Sequence, residues 1–432
     1  MKVLVIGSGG REHAIVKALK KNPRVTELFA APGNGGISCE AECVPLRAVD
    51  IAGIKDFVIK NSIDYAVVAP DDPLAIGMVD ALEEKGVRCF GPNKAAARIE
   101  SSKVFSKNLM KKYNIPTASY EAFSNSDDAC CYVKSKSVSF PVVIKADGLA
   151  LGKGVIIAHD FIEAVKAIES IMLEKKFGES GSNIVIEEFL EGPEVTVLSF
   201  TDGKAVIPMV SSMDHKRIFD GNKGPNTGGM GVIAPNPHYT KEIKTLCEKT
   251  IFEPTVRAMN EEGCPFKGCL YFGLILTKEG PKVIEYNSRF GDPEAQALLP
   301  LLETDLLKIM EAVTDEKLDS INIKWSNLSS ACVVLASGGY PDSYKTGLII
   351  SGLDSKSGAL CDKTLKAQDD NNVTVYHSGT DFINGDFYTK GGRVLGVTAT
   401  ASTLDAALKN AYRAAENINF EGMYYRNDIG KY

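Results

Sequence analysis

The sequence contains no apolar run long enough to span a bilayer, no apolar leader with a cleavage pattern after Met1, and no internal repeat or low-complexity tail. The expectation is a cytoplasmic protein with no membrane partner. Ten cysteines are scattered without a CxxC and without the Cys/His spacing of a zinc site, so free thiols in a reducing compartment are expected. An excess of basic residues is also missing: 49 Lys and Arg stand against 55 Asp and Glu, a formal net charge of -6. No nucleic-acid partner is expected, although local phosphate sites are compatible with that balance. What remains is ordinary globular composition, 44% hydrophobic and 24% charged, over 432 residues. That length exceeds what one core usually serves and predicts several domains.

Strands and helices alternate along the chain. The apolar run at 3–6 reads as a buried strand, and Ala14, Ile15, Ala18 and Leu19 follow it at helical spacing. Runs at 66–69 and 87–90, with a helix from about Leu74 to Lys85 between them, continue a doubly wound α/β pattern through the first hundred residues. Strands at 141–145 and 154–157 flank a glycine-rich loop; a helix from about Phe161 and a strand at 184–188 complete what reads as a small lid. A third block runs from about Glu194 to Trp325. A fourth ends in a strand at 393–397 and a helix whose Leu404, Ala407, Leu408 and Ala411 share a face. Polar stretches at 351–357 and 368–372 read as loops of that last block.

The densest chemistry lies in Glu285-Tyr-Asn-Ser-Arg-Phe-Gly-Asp-Pro-Glu294, which closes the apolar strand Lys282-Val-Ile. Strand alternation puts Glu285 and Asn287 on one face and Ile284 and Tyr286 on the other. Two hard oxygens two residues apart make a platform for Mg2+, which takes few protein oxygens and leaves room for water and phosphate. Arg289, Asp292 and Glu294 follow on the same turn. A polar surface turn would share part of this composition, but the combination of cation platform, arginine and further carboxylates points to a site.

Three glycine-rich loops accompany it. Gly7-Ser-Gly-Gly-Arg-Glu-His13 follows a strand and opens a helix, where backbone N–H groups can bind phosphate. Glu12 occupies the third position of GxGxxG and no acidic residue ends the second strand, which disfavours NAD. A tight turn that needs glycine fits this segment as well as phosphate binding does, and Arg11 tips the reading towards an anion. Lys145-Ala-Asp-Gly-Leu-Ala-Leu-Gly-Lys-Gly154 can close over a triphosphate; it is not a Walker A loop, because Gly154 rather than Ser or Thr follows Lys153. A plain hairpin with surface lysines is the alternative. Asp214-His-Lys-Arg217 and Gly224-Pro-Asn-Thr-Gly-Gly-Met-Gly231 form the third loop; His215 reads equally as a structural histidine.

Gly-Gly-Arg-Glu-His13, Pro32-Gly-Asn34, Lys145-Ala-Asp-Gly, Glu187-Glu-Phe-Leu190, Asp214-His-Lys-Arg217, Asn226-Thr-Gly-Gly-Met-Gly, Arg289-Phe-Gly-Asp-Pro-Glu294 and Gly391-Gly-Arg-Val-Leu-Gly-Val-Thr-Ala occur in the order of one family. Together they resemble the phosphoribosylamine-glycine ligases, the glycinamide ribonucleotide synthetases of purine biosynthesis. The resemblance implies an α/β (α+β overall) ATP-grasp fold: a Rossmann-like domain at 1–102, a linker and lid at 103–192, a central domain with the metal site at 193–325 and a C-terminal α/β domain at 326–432. It implies ATP-dependent ligation of glycine to 5-phosphoribosylamine through a glycyl phosphate, with Mg2+ or Mn2+, by a monomer or weak dimer. The resemblance is to the form without the further purine-pathway domains fused in animals, and the chain is expected to act alone.

Carried over position by position, Lys103 and Lys145 contact ATP phosphates and Gly152, Lys153 and Gly154 belong to the covering loop. Glu187, Glu188, Phe189 and Leu190 form the adenine hinge, and Glu194 holds the ribose. Glu285 and Asn287 match the metal ligands. Arg289 is the candidate for the glycine carboxylate or the transferring phosphoryl group, Asp292 for the glycine ammonium, with Glu294 beside them. Gly9, Gly10, Arg11, Gly33, Asn34, Asp214, His215, Lys216 and Asn226 are candidates for the phosphoribosylamine side. Where relatives commonly have Gly-Pro-Glu, this chain has Ala69-Pro-Asp71, and no role is assigned to Asp71. The strand Tyr271-Phe-Gly-Leu-Ile-Leu276 carries no carboxylate, so a second protein-held metal is not expected. The alternatives are another ATP-grasp carboxylate-amine ligase, a non-catalytic nucleotide sensor and, least favoured, a nicotinamide dehydrogenase.

Overall fold

A computed structural model describes residues 1–135, 138–149, 154–361 and 372–431. Five parallel strands form the first sheet, in the order Glu42–Cys43, Glu27–Pro32, Lys2–Gly7, Tyr65–Val68, Arg88–Phe90. The chain order reverses between Lys2–Gly7 and Tyr65–Val68, so the loops after these two strands flank the crevice where doubly wound sheets receive ligands. Those loops are Ser8-Gly-Gly-Arg11 and Ala69-Pro-Asp71. The helix expected from Leu74 to Lys85 is instead two short helices, Asp71–Ile76 and Met78–Glu83. Gly77 separates them at φ +93°, a left-handed conformation that caps the first helix and re-aims the second.

The lid is an antiparallel sheet ordered Tyr120–Phe123, Ile184–Glu188, Val142–Ala146, Val155–Ala158. Helices Ser126–Val133 and Phe161–Ile168 bury Ala129, Val133, Ala164 and Ile168 against it. Below it lies the central antiparallel sheet, ordered Val206–Pro208, Glu194–Asp202, Lys267–Thr277, Gly280–Asn287. Its long middle strands carry Leu198, Phe200 and Tyr271 into the same core as Val3, Val5 and Tyr65 of the parallel sheet. N-terminal and central domains are therefore packed through one apolar interior.

The fourth sheet is ordered Met213–Asp214, Gly231–Ala234, Ser329–Ala336, Arg393–Ala401, Val373–His377. Its first two strands come from residues between the strands of the central sheet, so chain order and sheet membership do not coincide at a boundary near 325. The glycine-rich third loop is thereby pulled into the C-terminal sheet. Helix Leu404–Ala415 covers that sheet with Ala407, Ala411, Ala414 and Ala415 buried. Among the described residues no helix is long and apolar enough to cross a membrane, and Cys39, Cys43, Cys89, Cys130, Cys131, Cys247, Cys264, Cys269 and Cys332 are free thiols.

Asn34 joins the first and last of these sheets. Its Nδ2 donates to the carbonyls of Ser8 and His377, each at 2.8 Å, and of Ser378 at 3.2 Å. Its Oδ1 accepts the N–H groups of Gly36 at 3.0 Å and Ile37 at 2.9 Å. Asn34 is buried and every polar atom of its side chain is committed. These bonds give Asn34 a scaffold role, and the preceding Gly33, at φ +72°, makes the turn. Asn34→Ala should lower unfolding stability by about 2–4 kcal/mol in urea denaturation, because several buried backbone groups lose their partner at once. Substrate KM values measured well below the melting transition should remain within about twofold of wild type; a selective rise for one substrate would return Asn34 to the site.

Candidate active site

The site starts from an irregularity in the strand Gly280–Asn287. Gly273 pairs with Glu285 and Leu274 with Val283, so Ile284 is an extra residue, a β-bulge. Val283 and Tyr286 lie in the core, whereas Ile284, Glu285 and Asn287 all line a cavity of about 970 Å3. Strand alternation correctly joins Glu285 with Asn287, but the bulge turns Ile284 to the cavity instead of away from it. Its carbonyl is also used there: Lys145 Nζ donates to Ile284 O at 3.1 Å.

Basic side chains converge on this platform from the lid side. Lys145 lies in the lid strand Val142–Ala146, and Lys103 begins the helix Lys103–Lys112. Lys103 Nζ donates to Gly148 O at 3.2 Å, which ties the helix start to the glycine loop. Gly154 lines the cavity; Gly152 and Lys153 lie outside the described residues. Glu285 is half-buried. Burial alone would raise its carboxyl, but Lys216, Lys145, Lys103 and Arg289 outweigh that effect and hold it below the ordinary carboxylate range.

Glu187 does more than the hinge reading assigns it. Its carboxylate is buried between two ammonium groups, Lys107 Nζ at 2.9 Å and Lys145 Nζ at 2.9 Å. Lys107 was not expected, although its i+4 spacing from Lys103 on one helix face carried the signal. Glu188 instead accepts the N–H of Ser119 at 2.9 Å, and Phe189 and Leu190 continue along the cavity edge.

Lys216 sits 3.4 Å from Glu194 and 3.5 Å from Glu285. Glu194 first, together with Glu285, raises its ammonium well above the usual lysine range. Lys216 therefore lies beside Glu194 and Glu285 as well as next to the acceptor-side candidates. His215 makes contacts that fit its structural reading. Its Nδ1 meets Gly231 O at 3.2 Å and its Nε2 accepts the Gly430 N–H at 3.0 Å, so the ring fastens the loop to the C-terminal segment. Burial lowers it to a pKa of about 4, and a neutral ring is what the Gly430 contact requires.

Arg289 Nη2 lies 2.8 Å from Glu100 Oε1 and donates to Asn287 Oδ1 at 3.2 Å; its buried Nε has no partner. Glu100 also accepts the Ser288 N–H and hydroxyl, at 2.7 and 2.8 Å. Sequence reasoning missed Glu100, which lies 188 positions from its partner Ser288. Asp292 is held by Gln296 Nε2 at 2.7 Å and by Arg393 Nη2 at 3.5 Å. Arg393 also donates to the carbonyls of Gly228 and Asp292, so one arginine of the C-terminal sheet clamps two site loops. Only the run Gly391-Gly-Arg hinted at it.

The N-terminal loop supplies its own anion. Gly7, at φ +126°, leaves room for the Glu12 side chain, whose Cγ would lie 2.5 Å from a Cβ at that position. Glu12 accepts the Gly9 N–H and the Arg11 Nε–H, the latter at 2.6 Å. Gly9 and Gly10 pack against Asp292 and Gln296, where added Cβ atoms would lie 2.8 and 2.3 Å from those side chains. Neither lines the cavity; Arg11 does. The Gly9 N–H is thus occupied by an internal carboxylate contact. Asp214, Asn226 and Glu294 also line the cavity.

Glu285 and Asn287 fit a hard divalent cation. Both offer oxygen, both face the cavity, and their neighbours Lys216 and Arg289 are cations or donors that already mark those oxygens as charge-attracting. Among the described residues no group of three or more His, Cys, Asp or Glu side chains forms a metal cage.

Residues 1–100, 101–295 and 330–432 match the N domain, the ATP-grasp (A) domain and the C domain of phosphoribosylglycinamide synthetase. The chain is 47% identical over 429 residues to the phosphoribosylamine–glycine ligase of Caldanaerobacter subterraneus subsp. tengcongensis, covering 99% of each. It is 47% identical over 431 residues to that of Clostridium acetobutylicum, covering 100% of each. A crystal structure of phosphoribosylamine–glycine ligase from Thermotoga maritima superimposes with a TM-score of 0.84 at 31% identity, covering 99% of this chain and 100% of that one. With its fold, its ordered motifs and its full length in agreement, the chain belongs to the phosphoribosylglycinamide synthetase family of ATP-grasp ligases.

Proposed function

We propose that this chain ligates glycine to 5-phosphoribosylamine, consuming ATP and releasing glycinamide ribonucleotide, ADP and phosphate. The carrying observation is one cavity in which the lid lysines, the Glu285/Asn287 platform and the Arg289–Glu294 turn converge. A carboxylate is a poor electrophile until one oxygen becomes a phosphate leaving group. Transferring that phosphoryl group requires alignment and charge neutralisation more than a protein nucleophile.

Lys103 and Lys145 are placed to meet the triphosphate from the lid side, with Glu187 holding Lys145 in position. The segment 188–190 and Glu194 border the nucleotide end. Glu285 and Asn287 would hold Mg2+ or Mn2+, which supplies neutralisation of the phosphate oxygens. Arg289, oriented by Glu100, has a planar fork suited to the glycine carboxylate or the transferring phosphoryl group. Asp292 and Glu294 border the glycine end, and Arg11, Asp214 and Asn226 the acceptor end. We infer a monomer or weak dimer acting in the cytoplasm.

An ADP-release assay with each substrate omitted in turn tests the reading. Sustained turnover should require glycine and phosphoribosylamine together; equal turnover with another amine would assign a different ligase, and no amine-dependent hydrolysis a nucleotide sensor. Glu285→Ala should reduce kcat at least about 100-fold through lost alignment of the phosphates, and wild-type rates at saturating Mg2+ would remove it from the metal site. Arg289→Lys keeps the charge but loses the fork. Its kcat/KM for glycine should fall at least about tenfold, while an unchanged glycine response would make Arg289 a purely structural partner of Glu100.

A further inference from the structure

Six of the carboxylates that line the cavity divide by their pairing. Glu187, Glu100, Glu285 and Asp292 each have a cation within 3.5 Å: Lys107 and Lys145, Arg289, Lys216, and Arg393 in turn. Asp214 and Glu294 have no such ion pair among the described residues. Asp214 Oδ1 is buried without any hydrogen-bond partner, and Glu294 is buried with the Tyr271 hydroxyl and its own backbone as donors. Two strands of different sheets and one helix start bring them together. Asp214 ends the strand Met213–Asp214, Glu294 begins the helix Glu294–Leu298, and Tyr271 stands in the strand Lys267–Thr277.

A buried acceptor without a donor points to a ligand that brings one. Asp214 Oδ1 borders Gly229, where an added Cβ would lie 2.6 Å from it. No side chain at 229 therefore screens that oxygen. The nucleotide end of the cavity is already supplied with lysines, so an amine is the donor for which this end has an unfilled acceptor.

Ligation also leaves a proton to be placed. The acceptor amine attacks the carbonyl carbon of the acyl phosphate, the new C–N bond forms, and the carbon–oxygen bond to phosphate breaks with its electron pair going to phosphate. The nitrogen then carries one proton too many. A carboxylate pinned to a cation is a weak base, whereas an unpaired one takes a proton readily.

On the proposed ligation chemistry, we propose that Asp214, partnered by Glu294, receives the N–H of the attacking amine and accepts its proton as the amide forms. Burial, and next the charge of Glu294, holds the Asp214 carboxyl well above its ordinary range; burial does the same for Glu294. Lys216, Arg393, Glu194, Tyr271 and Arg289 also act on the pair, and Glu285 acts on Tyr271. Lys216 and Arg393 oppose the rise without reversing it.

Hydroxylamine separates the two half-reactions, because it traps the acyl phosphate as a hydroxamate and is neutral at pH 7. Asp214→Asn and Glu294→Gln, each checked for a native melting transition, are compared with the full-length wild type. Glycine-dependent hydroxamate formation by Asp214→Asn should stay within about threefold, while its ligation to phosphoribosylamine falls about 100-fold or more; ligation by Glu294→Gln should fall less. Parallel loss of both activities in folded Asp214→Asn would place Asp214 in glycine binding or phosphoryl transfer and overturn the proton path. Undiminished ligation in Asp214→Asn would overturn it as well. A wild type that forms hydroxamate but does not use phosphoribosylamine would instead remove the ligation reading on which the proposal rests.

Discussion

Charge pairing inside one cleft is the constraint on which the rest of this structure depends. Lysines, arginines and carboxylates withdrawn from water each carry a desolvation cost that an isolated group could not sustain. The chain meets it by alternation: Glu187 lies between Lys107 and Lys145, Lys216 between Glu194 and Glu285, and Glu100 against Arg289. The arrangement requires four sheets to present their ends to one volume, since no single element could supply both signs at this density.

Domain packing follows from that requirement. The parallel sheet and the central sheet share an apolar core through Val3, Tyr65, Leu198, Phe200 and Tyr271. The C-terminal sheet is fixed by polar clamps: Asn34 to the segment around His377, and Arg393 to Gly228 and Asp292. Apolar burial gives the first contact its strength, and directional hydrogen bonds give the second its register. Glu12 closes the N-terminal loop from within, so the glycines there serve close packing of helix against strand end.

Legibility varied with the range of the interaction. The Glu285/Asn287 pair could be read because two residues of one strand share a face whatever the rest of the chain does. Ile284 was misplaced because a bulge is decided jointly with the opposite strand, at Gly273 and Leu274. Lys107 carried an i+4 signal, whereas Glu100 carried none that local pattern could expose. Asn34 and His215 looked like ligand-facing polar residues, yet their partners, His377 and Gly430, lie 343 and 215 positions away. A side chain that satisfies distant backbone is indistinguishable in sequence from one that waits for a substrate.

The sequence by itself determined the α/β class, the absence of a dinucleotide fingerprint at Glu12, the shared face of Glu285 and Asn287 and the ordered motifs that carry the family resemblance. Each of these rests on spacing within a dozen residues or on motif order, and both survive projection onto a string. Tertiary structure alone decided which carboxylates are neutralised by a cation and which are left open, and that Lys216 reaches both Glu194 and Glu285. The physical reason is that a charge's state depends on its distance to other charges and to water. Those distances are set when sheets separated by hundreds of residues close on one another.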